Sequence, residues 1–140
     1  MMRYLLDTDH FTLHERGHPL LRQRIAVHPP EALTISIVTA EESLRGRLAS
    51  LARRHDGPAR IRAYAKLLET IQFLNSITVV PVDQKCEDRL QDLRSRKKLR
   101  VGSQDLKIAA TALANSLIVV TRNRQDFERV PSLTIENWSA

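Results

Sequence analysis

The chain has one cysteine, four glycines and few aromatic residues, 4% of the total, in 140 residues. A lone Cys86 excludes an internal disulfide and suits a cytosolic location. Few glycines and only six prolines argue against long disordered stretches. No long apolar run is present, so a membrane-spanning helix is not expected, and the opening residues reach Asp7 too soon for a signal peptide. Scarce aromatics leave no base-stacking platform of the single-strand-binding kind, and Tyr4, Tyr64, Phe73 and Trp138 are expected to pack in the interior with Cys86. What the chain has is positive charge: a net +6, with 42% hydrophobic residues, enough for one core over residues 1–140. That balance favours a polyanionic partner, chiefly nucleic acid.

Short apolar runs alternate with helical patterns. Arg3–Leu6, Leu33–Ile37, Ile77–Val82 and Leu117–Val120 read as strands, and Leu133–Ile135 as an edge strand. Between them, helices are expected over Leu20–Val27, from Thr39 to about Arg54, along a stripe of Ile61, Tyr64, Leu68, Ile71 and Leu74, from Gln84 to about Lys98, and over Asp105–Asn115. A helical turn is expected around Asp126 to Arg129. This alternation predicts an α/β fold with a mainly parallel sheet, whose ligands bind at the carboxyl ends of the strands.

Four acids stand at strand ends or helix starts: Asp7, Glu42, Asp105 and Asp126. Each has a local explanation. Thr39 and Glu42 have the spacing of a capping box, Ser103 precedes Asp105 as a cap precedes a first-turn acid, and Asn123 stands likewise before Asp126. A parallel sheet, however, would gather all four along one edge. Clustered carboxylates repel, and a hard dication such as Mg2+ or Mn2+ relieves the repulsion. The same ion can polarise a phosphodiester and activate water, so metal-assisted hydrolysis needs no nucleophilic side chain.

The segments Leu5-Leu6-Asp7-Thr8, Ser36-Ile37-Val38-Thr39 with Glu42 and Gly46, Asp105-Leu106-Lys107-Ile108-Ala109, Val120-Thr121-Arg122-Asn123 with Asp126-Phe127, and Val130-Pro131-Ser132-Leu133 with Glu136-Asn137-Trp138 resemble the PIN domain. More narrowly, they resemble the VapC-type toxins of bacterial toxin–antitoxin pairs. The resemblance implies a three-layer α/β/α sandwich and a Mg2+- or Mn2+-dependent endoribonuclease. It also implies a homodimer and neutralisation by a cognate antitoxin. By motif position Asp7, Glu42 and Asp105 match the three core acids. Asn123 and Asp126 compete for the fourth position, with Asp126 favoured for its charge and Asn123 as a polar helper; Thr121 could orient a water or a carboxylate.

Two residues depart from the pattern. Asp9 stands where the family has Asn and is expected to cap the first helix; Glu41, one step from Glu42, should face the surface. Arg96, Lys97, Lys98 and Arg100, with Arg94, form a basic run before Asp105, and Arg45, Arg47, Arg53 and Arg54 form a second patch. Either could hold the phosphates of a structured or tRNA-like RNA, or an acidic antitoxin segment. His10 and His14 have zinc-ligand spacing but no further ligands nearby. Two rival readings remain: a PIN-like binding module without catalysis, and a haloacid-dehalogenase-type phosphatase with Asp7 as nucleophile and Asp9 as acid. The phosphatase would need an adjacent acid pair that the chain lacks.

Overall fold

The structure is a computed structural model and describes residues 2–54 and 56–140; Met1, where the opening run starts, and His55 lie outside them. Five strands, β1 (Tyr4–Leu6), β2 (Leu33–Ser36), β3 (Thr78–Val80), β4 (Ile118–Val120) and β5 (Ile135–Glu136), form one sheet in the order β3-β2-β1-β4-β5. Every pairing is parallel, so each connection crosses over through helix or loop and all carboxyl ends lie along one edge. The central strands are buried on both faces, which is why they read as unbroken apolar runs rather than alternating ones.

Alternate residues feed two separate cores. Leu5 and Val119 point into a cluster with Leu90, Leu93, Leu106, Ile108 and Phe127. These come from α5 (Gln84–Arg94), α6 (Ser103–Asn115) and the one-turn α7 (Arg124–Phe127). Tyr4, Leu6, Ile118 and Val120 point the other way, onto Phe11 and Leu21, with Phe73 and Leu74 packed alongside. Those residues belong to α1 (Thr8–Glu15), α2 (Pro19–Ala26) and the end of α4 (Gly57–Asn75). The result is the three-layer α/β/α sandwich. Trp138 closes the second core, stacked 4.8 Å from His28 and tilted 4.8 Å from Tyr4, its indole N–H donating to Glu136.

Several local expectations are corrected. The helix after β2, α3 (Ile37–Ala52), starts two residues before Thr39 because Ser36 caps it, accepting from the Val38 N–H at 3.1 Å. Thr39 therefore lies inside the first turn, the Thr39–Glu42 capping box does not form, and Glu42 is left for other partners. The α5 helix ends at Arg94, not Lys98, so the basic run occupies the loop before α6. The cap of α6 is Gly102, and Ser103 is its first helical residue.

Apart from Leu74, which packs alongside the second core, the apolar stripe of α4 is not core. Ile61 is 71% exposed, Tyr64 56%, Leu68 54% and Ile71 41%. Amphipathic spacing marks a face, not what covers it. Only Ala63 and Thr70 of this helix are fully buried, and Thr70 is locked in a polar cluster with Glu15 of α1 and Arg47 of α3. Arg47 is thereby committed to holding three helices together and leaves the second basic patch.

Because Trp138 is buried among aromatic partners two residues from the chain end, Trp138→Ala is expected to destabilise the fold by about 3–5 kcal/mol, read as a lower urea midpoint.

Candidate active site

Asp7 follows β1 and is only 4% exposed. Its extended backbone makes it the cap of α1, with Oδ1 accepting from the His10 N–H at 2.8 Å. Thr8, the first helical residue, donates from Oγ1 to Glu42 Oε1 at 2.7 Å and lies 3.0 Å from Thr39 Oγ1. The short Thr8 side chain thus fixes the Glu42 carboxylate across the gap between α1 and α3. On the other side of β1, Asn123 Nδ2 donates to Asp105 Oδ2 and to Asp126 Oδ2, both at 3.1 Å. Asn123 stands at the N-cap position of α7, as expected, but its side chain makes no capping hydrogen bond and instead bridges two acids. Thr121 is fully buried after β4, and its Oγ1 accepts from the Asn123 N–H at 2.9 Å. It supports the turn that carries Asn123, one step removed from the carboxylates it was expected to orient.

The four acids share one electrostatic neighbourhood. Burial pushes the half-buried Asp105 carboxyl above its ordinary value; Asp7 and Asp126 push it further, the Asn123 hydrogen bond pulls back, and Glu42 adds a last upward push. Little positive charge offsets this. Among the described residues Arg129 stands 3.8 Å from Asp126. Such a set of oxygen donors fits a hard dication in kind. No three His, Cys, Asp or Glu side chains among the described residues already surround a single point, so an ion would have to draw the carboxylates inward.

Asp9 takes no part in this cluster. The cap expected of it is supplied by Asp7, and its carboxylate is paired with Arg122 through both oxygens. It is thus not the free general acid that a phosphatase would need beside Asp7. Glu41 faces outward as expected and is paired with Arg45, both well exposed on α3.

The basic loop lies beside the site. Arg129, which sequence reasoning passed over, contacts Asp126 with one guanidinium nitrogen that also donates to the Arg100 carbonyl at 2.9 Å. Together with Arg96, Lys98, Leu99 and Pro131 it lines an open cavity of about 400 Å3, and Lys97 is exposed in the same loop. Arg96 is partly engaged with Asp92. A second, polar groove of about 260 Å3 runs from Glu42 past Thr8 and Thr12 to Arg16. Thr8 carried a signal, because it sits inside the strand-end motif. Arg129 carried none: one arginine among so many reveals nothing of its neighbours.

A sequence profile of the PIN domain matches residues 4–133. Over 99% of both chains the protein is 30% identical to the tRNA(fMet)-specific endonuclease VapC of Salmonella typhimurium. It is 27% identical to a ribonuclease VapC2 of Haemophilus influenzae, again over 99% of both. Among solved structures, DNA-bound VapBC from Salmonella typhimurium superposes with a TM-score of 0.79 at 27% identity, covering 99% of each chain. VapBC2 from Rickettsia felis, bound to a promoter DNA fragment, gives 0.75 at 27% identity, covering 98% of this chain and 99% of that one.

The raised Asp105 carboxyl has a signed consequence. A group whose pKa is higher in the folded than in the unfolded state favours folding in acid, and that contribution is lost as pH rises through the folded value. In EDTA at neutral pH, Asp105→Asn is therefore expected to melt a few degrees above the wild type. The difference should vanish below the unfolded carboxyl pKa of about 4. Equal melting curves across that range would remove the electrostatic account.

Proposed function

Because the chain belongs to the PIN-domain family and, within it, to the VapC ribonucleases, we propose that it is a Mg2+- or Mn2+-dependent endoribonuclease acting as the toxin of a toxin–antitoxin pair. What supports this reading is that Asp7, Glu42, Asp105 and Asp126 stand by the carboxyl edge of one parallel sheet, with Thr8 hydrogen-bonded to Glu42 and Asn123 to both Asp105 and Asp126. Asp7, Glu42 and Asp105 would hold the ion, with Asp126 beside them. A bound dication supplies Lewis-acid activation of the phosphodiester and of water.

The rest is the work of the chain's own residues. Thr8 keeps Glu42 turned toward Asp7's side of the site, and Asn123 keeps Asp105 and Asp126 at a set separation. Thr121 stiffens the turn beneath Asn123. Arg96, Lys97, Lys98 and Arg100, with Arg129 joining the loop to Asp126, supply phosphate contacts beside the cut. Arg45 is a weaker candidate for that role, since it shares its charge with Glu41. With few aromatics to stack bases, the substrate is a structured or tRNA-like RNA recognised by shape. Residues 1–140 act as one domain, as a homodimer. No helix among the described residues is long and apolar enough to cross a membrane.

A cognate antitoxin needs a surface on which to seat. The uncovered stripe of Ile61, Tyr64, Leu68 and Ile71 on α4 offers one, because apolar groups gathered on one exposed helix face favour a protein partner over RNA phosphates.

Two tests follow from this reading. Asp7→Asn or Asp105→Asn is expected to lower Mn2+-dependent cleavage of structured RNA by at least about a hundredfold while preserving the circular dichroism spectrum, and EDTA should do the same to the wild type. Normal cleavage by either variant sinks the assignment. The paired change Leu68→Asp with Ile71→Asp is expected to abolish co-purification with the antitoxin and leave RNA cleavage intact; retention of the complex would move the antitoxin elsewhere.

A further inference from the structure

His10 has no assigned role, and its surroundings are unusual. The residue is 0% exposed, and neither ring nitrogen has a hydrogen-bond partner among the described residues. Buried polar atoms are normally satisfied, and one left alone carries a desolvation penalty that a leucine or phenylalanine of similar bulk would avoid. Packing therefore does not explain a histidine here. The other inward-facing residue of this helix segment, Phe11, shows what packing alone selects. The nearest acid to the ring is Asp7: His10 Nδ1 lies 3.4 Å from Asp7 Oδ1, close but not aligned for a hydrogen bond. The backbone N–H of the same residue already donates to that same oxygen.

We propose that His10 is a positioning residue for Asp7, its Nδ1–H closing onto Oδ1 when Asp7 holds the divalent ion. This rests on the nuclease reading above and deepens it. In the tautomer with its proton on Nδ1, the ring and the helix-capping N–H together occupy Oδ1. That leaves Oδ2, which accepts no hydrogen bond among the described residues, free to help hold an ion. No change of charge is required; the ring acts as a fixed neutral donor. Residues that orient a metal-binding carboxylate in this way typically alter metal affinity by about ten- to a hundredfold. The spare capacity at Nδ1 is then the reason a histidine is tolerated in an otherwise apolar interior.

The test compares His10→Leu, His10→Asn and His10→Gln in the full chain. Asparagine places its amide nitrogen near the position of Nδ1, and glutamine near that of Nε2. Mn2+ affinity is read by calorimetric titration of the free protein, and urea midpoints are taken in EDTA. His10→Leu is expected to bind Mn2+ about tenfold more weakly with an unchanged or higher urea midpoint. His10→Asn should recover most of the affinity and His10→Gln should not. A His10→Leu protein that binds Mn2+ as the wild type does overturns the proposal. Should His10→Leu fail to fold, equal affinities in the asparagine and glutamine variants overturn it instead. A wild type that binds no Mn2+ at all removes the nuclease reading together with this one. Binding lost in Asp7→Asn but kept in His10→Leu removes this one alone.

Discussion

A carboxylate buried at the end of the central strand is the constraint on which this molecule is organised. Asp7 is almost fully enclosed, and an enclosed charge must be compensated by hydrogen bonds, by opposite charge or by a change of ionisation. The fold offers it the N-terminus of α1, a backbone donor and the dipole of the first turn. It then brings three more acids close, since parallel strands deliver every following helix start to the same edge. Burial raises the Asp105 carboxyl above its ordinary value, and the neighbouring acids add to that rise. The site is rich in oxygen donors, the kind of set that hard dications favour.

The rest of the surface is divided around that centre. Positive charge sits at the rim, in the loop between α5 and α6 and on Arg129. Further basic residues are withdrawn into structure: Arg47 clamps Glu15 and Thr70, and Arg122 neutralises Asp9. The apolar stripe on α4 is kept apart in another helix. The two surfaces differ in kind, apolar area on one and positive charge on the other.

Legibility differed by the range of the interaction. The strand–helix alternation was readable because buried parallel strands must be apolar throughout and helices must carry a period of 3.6. The four acids were readable because helix starts and strand ends follow from those patterns. Local capping was less secure. Thr39 with Glu42 had the right spacing for a capping box, yet Ser36 took the cap because the β2 pairing ends with it. Asp9 looked like a cap, yet Asp7 already held that position with the required extended backbone. The α4 stripe was correctly placed on one face, but nothing in a helical period says whether another layer will cover it.

The amino-acid sequence by itself determined the sheet-forming runs, the edge at which chemistry could occur, the oxygen-only character of the donor set and the kinship to the PIN domain. Only the tertiary structure decided which partners those residues use. It gave Glu42 to Thr8, made Asn123 a bridge between Asp105 and Asp126, drew Asp9 off to Arg122 and set the His10 ring against Asp7. The Thr8–Glu42, Asn123–Asp105 and Asp9–Arg122 contacts join residues distant in the chain. Their existence depends on how far each helix is rotated and shifted when its apolar face seats on the sheet. A helical period constrains that rotation only to a face, whereas a hydrogen bond requires it to within a few tenths of an ångström.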